Sequence, residues 1–316
     1  MHRTAVPDDA VVDYLPVGPD DAPELARLPL LRAHAHAPLQ TALANFYTPL
    51  FAPLNAEHLD ERALTRQFRR LRQQRQTAEL RLAPLDPQAS FFAQARRALA
   101  AAGWITSDYF CFGNWRLDLD TQGFQAYWAQ RPSKLRNTAR RARQRLDADP
   151  GFRLDIITGG PALQAAVDAF VSVYRRSWKQ PEAWPRFIPA LCPLAAERGW
   201  LRLGVLELDG QAVASQLWLV SGGCAYIVKL AYDRAYASRT VGTVLSAHMM
   251  EHVIDHDHVS RIDYLIGDDA YKRDWLPERR ERWGLVAFNP LTVRGLIGAA
   301  RHFVGHALKQ FRPRPA

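Results

Sequence analysis

Cysteine is scarce. The chain of 316 residues has three, Cys111, Cys192 and Cys224, far apart and in no CxxC pair. That argues against a disulfide framework and fits a reducing compartment. Long apolar runs are missing too. No stretch approaches the ~18 consecutive apolar residues of a bilayer-spanning helix. The opening MHRTAVPDDAVVDYLPVGPDD lacks the apolar core of a secretory signal. A cytoplasmic protein is expected, peripheral to the inner face of the membrane at most. There is no G-x-S-x-G elbow and no cysteine with an evident partner, so covalent hydrolase chemistry has no support. There is no H-E-x-x-H either. His248, His252 and His256 recur at i, i+4 and i+8, a spacing that a polar helix face explains as well as a zinc site does, and no metal is expected. Internal repeats and low-complexity tracts are also lacking.

What is present describes a globular protein. Hydrophobic residues make up 48% and charged residues 23%, enough apolar material to build cores. The length suits two domains, expected at residues 1–150 and 151–316. Lys and Arg number 41 against 32 Asp and Glu, a net charge of +9. That excess favours anionic partners, whether CoA phosphates, nucleic acid or an anionic membrane, without choosing among them.

Residues 1–30, rich in Pro, Asp and Ala, read as a loosely ordered lead-in. Helical spacing of Leu59, Ala63, Leu64, Phe68 and Leu71 predicts a helix over residues 57–76, then a strand at 79–84 and a helix over 88–102 that Gly103 stops. A strand is expected over residues 109–119. The segment 124–146 is strongly basic and helical, broken at Pro132, and bridges the halves. In the second half, helices at 162–177 and 185–198 precede three strands, 201–208, 212–220 and 225–232. Asp209-Gly210 marks the first hairpin. A loop then opens a helix to about Ile254, followed by a strand at 260–266 and a helix from Asp268 to about Arg282. A last helix, 293–311, has an apolar stripe at Leu296, Ile297, Ala300, Phe303, Val304 and Leu308 and ends in the basic tail KQFRPRPA. That stripe could cover its own domain or rest on a membrane surface. The order predicts an α/β or α+β fold, a mixed sheet flanked by helices.

The loop Arg239-Thr-Val-Gly242-Thr243 lies between a strand and a helix. A helix N-terminus exposes unsatisfied N–H groups and the positive end of its dipole, so such a loop is an anion site. Gly242 would allow close approach and Arg239 would add charge. An ordinary strand-to-helix turn has the same local pattern.

The loop also resembles the pyrophosphate-binding loop of GNAT acyltransferases. Its context, with SWKQPEAWPRFI (Ser177–Ile188), YIVKLAYD (Tyr226–Asp233), RTVGTVLSAHMMEHVI (Arg239–Ile254), IDYLIGDDAYKRDW (Ile262–Trp275) and the basic RPSKLRNTARR (Arg131–Arg141), is similar to the CelD/BioF2-like GNAT family, related in turn to Fem-type peptidyl transferases. Val244 stands where the full R/Q-x-x-G-x-G/A pattern has its second small residue. The resemblance implies a tandem GNAT-like fold with a degenerate N-terminal half that contributes to the acceptor site. It implies acyl-CoA, acetyl-CoA first, as donor at Ala231, Tyr232, Arg239, Val241, Gly242 and Thr243. It also implies an amine or hydroxyl acceptor, with cell-envelope or exopolysaccharide biosynthesis as the setting.

Acyl transfer needs a base, a proton for the leaving thiolate and a polarised carbonyl. Asp268, Asp269 and Tyr271 follow a strand end and are catalytic candidates, Tyr271 as proton donor and an Asp as base or acceptor-orienting group. Lys229, a fourth catalytic candidate, sits mid-strand among apolar residues and either reaches solvent or points a charge into a cleft. Trp178, Lys179, Lys272 and Trp275 are candidates for holding substrate. Two other readings stay open. One is an aminoacyl transferase whose donor is charged tRNA, the one nucleic acid expected here. The other is a non-catalytic module that binds a glycan or a partner.

Overall fold

The computed structural model describes residues 6–19, 26–120 and 123–310, with side chains described through residue 305. The chain runs β1 (Val11–Pro16), β2 (Arg27–Arg32), β3 (Leu39–Ala42), α1 (Glu61–Gln73), β4 (Glu79–Leu85), α2 (Ser90–Ala101) and β5 (Ile105–Asp118). It continues with α3 (Gly123–Ala129), α4 (Ser133–Asp147), β6 (Phe152–Ile157), α5 (Leu163–Arg176), α6 (Phe187–Glu197), β7 (Leu201–Leu208) and β8 (Gln211–Ser221). The last elements are β9 (Cys224–Tyr232), α7 (Val241–Asp255), β10 (Arg261–Asp263), α8 (Lys272–Trp275), β11 (Glu278–Phe288) and α9 (Val293–Gln310). One compact unit is Gly113–Arg280; the other is Val6–Phe112 with the segment that begins at Glu281.

In the Gly113–Arg280 unit, β6, β7, β8 and β9 pair antiparallel in sequence, and β10 then adds parallel to β9. Tight turns set the register. Asp209 and Gly210, at φ +51° and +75°, close the β7–β8 hairpin in the left-handed pair such turns require. The core gathers Trp218 and Ile227 of the sheet with Leu245, Met249 and Val253 of α7 and Leu146 of α4. The basic segment is two helices separated at Pro132, as its sequence predicts. α4 buries Ala139, Ala142 and Leu146 and leaves Lys134, Arg140, Arg141 and Arg145 exposed.

β10 is short, and that shapes the site. Its three residues pair with Cys224, Ala225 and Tyr226 of β9. From Ile227 to Tyr232, β9 runs on past the end of this pairing.

The other unit has strand order β1-β2-β3-β4-β11, with β3 and β4 parallel and the other neighbours antiparallel. Its core joins Leu28, Leu30, Leu80, Leu82 and Leu285 of the sheet to Leu64 and Phe68 of α1 and Leu99 of α2.

Four points differ from the sequence reading. The lead-in contains two paired strands, β1 and β2, and Leu28 and Leu30 are fully buried; residues 1–5 and 20–25 lie outside the described residues. The helix expected from Asp268 to Arg282 is only α8, because Pro277 cannot continue it, and residues 278–288 form strand β11. The strand β6 has no counterpart in the sequence reading. In α9 the apolar stripe does not cover its own unit: Leu296, Ile297, Ala300, Phe303 and Val304 are exposed. The side chain of Leu308 and the tail residues 311–316 lie outside the described residues.

Candidate functional site

The free end of β9 and the start of α7 meet at a cavity of about 290 Å³. Among its walls are Trp178, Ala231, Tyr232, Gly242, Thr243, Tyr271 and Trp275, all named from sequence and drawn from four separate segments. Local chemistry explains the loop. Asp233 accepts the Ala235 N–H and so caps a short 3-10 turn at residues 234–239. Thr240 then reverses the chain at φ +61°, and α7 begins. The Thr240 carbonyl accepts the N–H groups of both Thr243 and Val244. The N–H groups before them have no intrahelical partner by geometry.

Gly242 is needed for close packing. A β-carbon there would lie 2.8 Å from Cδ1 of Tyr232, and the Tyr232 ring in turn lies 4.6 Å from that of Trp178. Val244 is buried in the core and is not a wall of the cavity. Its bulk at the position of the missing small residue therefore does not fill the space. Val241 is likewise fully buried.

Other expected residues are held elsewhere. Arg239 Nη2 donates to Asp149 Oδ2 at 2.7 Å, so its charge braces the loop against the start of the β6 segment. Lys229 neither reaches solvent nor faces the cavity: it is buried and its ammonium lies 2.6 Å from Glu182 Oε1. Asp268 is clasped by the Arg279 guanidinium, with contacts of 2.6 to 3.0 Å, and accepts the Trp115 indole N–H. Arg279 holds its carboxyl below the ordinary aspartate range, although burial opposes the shift. Asp269 is exposed and pairs with Lys272 at 3.2 Å. Lys272 is itself buried and donates to the carbonyls of Ile266 and Gly267. Burial lowers the Lys272 pKa, with Asp269 pulling the other way.

Tyr271 is 43% exposed and its ring meets Tyr264 edge-on at 6.2 Å. Burial of its surroundings, and then Asp269, push its hydroxyl well above the ordinary tyrosine range, so it keeps its proton. The loop that presents it is anchored below. Asp263 accepts from Asn114, Arg280 and the Leu265 N–H at 2.6 to 2.8 Å.

Lys179 faces a second cavity, about 430 Å³, with Phe170, Val171, Tyr174, Pro185 and Ile188 among its walls. Its ammonium stands over the rings of Tyr174 and Trp178. Burial, and then the like charges of Lys229 and Lys272, bring its pKa down to about 8. Among the described residues no group of three or more His, Cys, Asp or Glu side chains is placed to hold a metal ion.

Sequence reasoning missed Leu135, Gln216, Leu230, Ser246 and Asp274 of the first cavity. Gln216 had a signal, an amide inside the apolar strand AVASQLWLV. It is buried, donates to the Gly242 carbonyl at 3.2 Å and to Ser246 Oγ at 2.7 Å, and accepts the Trp218 indole N–H at 3.0 Å. It thus ties the first turn of α7 to β8. Gln216→Leu keeps the volume and strands three polar groups, so a loss of about 1–3 kcal/mol is expected. Urea unfolding reads it as a lower midpoint with an unchanged slope.

No curated protein matches the chain. Solved structures do resemble it in fold. A domain described as the C-terminal part of a lysylphosphatidylglycerol synthetase from Agrobacterium fabrum superposes with a TM-score of 0.58 at 13% identity, covering 92% of this chain and 88% of that one. FemX gives 0.58 at 11% identity, covering 89% of each. A tandem GNAT protein from the clavulanic acid biosynthesis pathway gives 0.51 at 15%, covering 89% and 84%. These likenesses agree with the expected GNAT-like mixed sheet flanked by helices. Residues 133–273, which supply every wall of the first cavity except Asp274 and Trp275, match the sequence model of the acetyltransferase (GNAT) domain.

Proposed function

We propose that the protein is an acyltransferase that takes an acyl group, acetyl first, from acyl-CoA and gives it to an amine or hydroxyl by direct attack. The observation that carries this reading is the convergence of a helix N-terminus, a free strand end and a protonated tyrosine on one cavity. The donor is a chain with an anionic diphosphate followed by amides and a thioester. The Gly242 N–H, in the first turn of α7, and the positive end of the helix dipole suit the diphosphate. The backbone of Leu230–Tyr232 suits the amides, which need partners when they leave water.

In the reaction the acceptor lone pair attacks the thioester carbonyl, a C–N or C–O bond forms and the C–S bond breaks. Tyr271 supplies the proton that the departing thiolate takes up. Asp274, in α8 on the cavity wall, is assigned the proton released by the acceptor, while Asp269 pairs with Lys272. Asp268 and Lys229 move no proton in this scheme, since Arg279 and Glu182 hold their charges. Trp178 and Trp275 wall the reacting centre, Lys272 braces the loop beneath Tyr271, and the cavity beside Lys179 receives the acceptor. The CelD/BioF2-like assignment, with a cell-envelope or exopolysaccharide acceptor, belongs to the same proposal.

Calorimetric titration of the protein with CoA and acetyl-CoA tests it. Saturable binding of both is expected, and absence of binding would sink the reading. One observation favours a second donor, charged tRNA. α4 exposes Lys134, Arg140, Arg141 and Arg145, and its Leu135 walls the cavity. Activity that RNase abolishes and that falls steeply with salt would put that donor first.

A further inference from the structure

Helix α9 packs the wrong way round for a helix that serves only its own core. Such a helix turns its large apolar residues inward. Here the inward positions are small apart from His302, whose ring lies 5.5 Å from that of Phe288. Gly295 and Ala299 are buried, and Gly298 is half-buried. A β-carbon at Gly295 would lie 2.1 Å from the Asn289 carbonyl oxygen, and one at Gly298 would lie 3.0 Å from the Phe288 ring. Ala299 completes a small cluster with Val286 and Phe288. The large residues are left outside: Val293 is 74% exposed, Leu296 50%, Ile297 47% and Val304 59%. With Ala300 they follow the helical repeat and form one stripe. Phe303, 44% exposed, borders one edge, and Arg294 and Arg301, seven apart and exposed, run along the other.

Charge says what covers the stripe. From Asn289 to Ala316 the sequence has Arg294, Arg301, Lys309, Arg312 and Arg314 and no Asp or Glu, in a chain with 32 acidic residues. An apolar groove on a protein partner makes no such demand on sign, whereas an anionic bilayer surface does. Among the described residues no helix is long and apolar enough to cross a membrane, so the geometry is that of a helix lying on the surface.

We propose that α9 docks the protein on an anionic phospholipid surface. Its axis lies in the plane of the interface, Val293, Leu296, Ile297 and Val304 enter the boundary between headgroups and acyl chains, and Arg294 and Arg301 meet lipid phosphates. The proposal rests on no property of the cavity in the other unit.

Co-sedimentation of the full chain with vesicles tests it, using phosphatidylcholine alone and phosphatidylcholine mixed with phosphatidylglycerol. Binding to the mixed vesicles is expected to be at least about tenfold stronger and to weaken as salt rises. The double substitution Leu296→Glu and Ile297→Glu should cut it at least about tenfold, because it puts two charges on the inserted face. Both sites are exposed, so the thermal midpoint should stay put. Replacing Arg294 and Arg301 by Gln should remove the preference for the anionic vesicles. Equal binding to both vesicle types, no binding to either, or full binding by the Glu variant would overturn the proposal. So would a lipid-free dimer, seen by light scattering, that the Glu substitutions dissolve, since a second copy would then own the stripe.

Discussion

Gly242→Val is expected to lower acetyl-CoA affinity at least about 100-fold, roughly 2.7 kcal/mol, while the protein stays folded. The side chain at position 242 has one direction to take, into the Tyr232 ring, which a β-carbon would approach to 2.8 Å. That ring packs against Trp178, tilted by 42°, and forms a wall of the cavity, so displacing it rebuilds the space the donor would occupy. The same substitution puts bulk where a diphosphate would have to approach the first N–H groups of α7. Calorimetry reads the affinity, and the thermal midpoint reports folding. The two effects separate in a double-mutant cycle. With Tyr232→Ala the ring is gone, so Gly242→Val costs little if the ring is the cause and its full amount if phosphate approach is. Unchanged affinity in the single variant would remove the donor from this loop.

The start of α7 was legible because its chemistry is local: a strand, a turn, a glycine and a helix in one short stretch. β7 was legible for a similar reason, since the apolar run of Leu201–Leu208 ends at a dipeptide that can adopt the positive φ angles of its hairpin. What stayed hidden depends on distant partners. Glu182 and Lys229 are 47 residues apart, and nothing near either one names the other. β1 and β2 are short and sit among prolines and aspartates, and become strands by pairing with each other. The Asp-rich stretch after β10 has no local feature but Pro277 to show that its helix is only α8 and that the chain continues as strand β11. α9 is the sharpest case. Its period shows where the apolar stripe lies, but the sequence gives no sign that Gly295 and Ala299, the smallest residues available, are the ones that face inward.

Tyr271→Phe is expected to reduce kcat about 10²- to 10³-fold and to leave acetyl-CoA affinity within a few-fold of the original. A positioned proton donor contributes on this order, and the two rings have the same shape, so the cavity wall is kept. The sign of the pKa shift matters. Burial raises the hydroxyl pKa, so the protonated form that must serve the thiolate persists through neutral pH and past the ordinary tyrosine range. The rate should therefore show no falling limb from Tyr271 below about pH 10. Release of free thiol from acetyl-CoA, followed over pH with a panel of small amines as acceptors, reads both quantities. The decisive comparison is the leaving group. A thioester whose thiol is more acidic needs less protonation as it departs, so the penalty for Tyr271→Phe should shrink with such a donor. A penalty that is the same for both donors would mean that Tyr271 shapes the cavity and gives no proton.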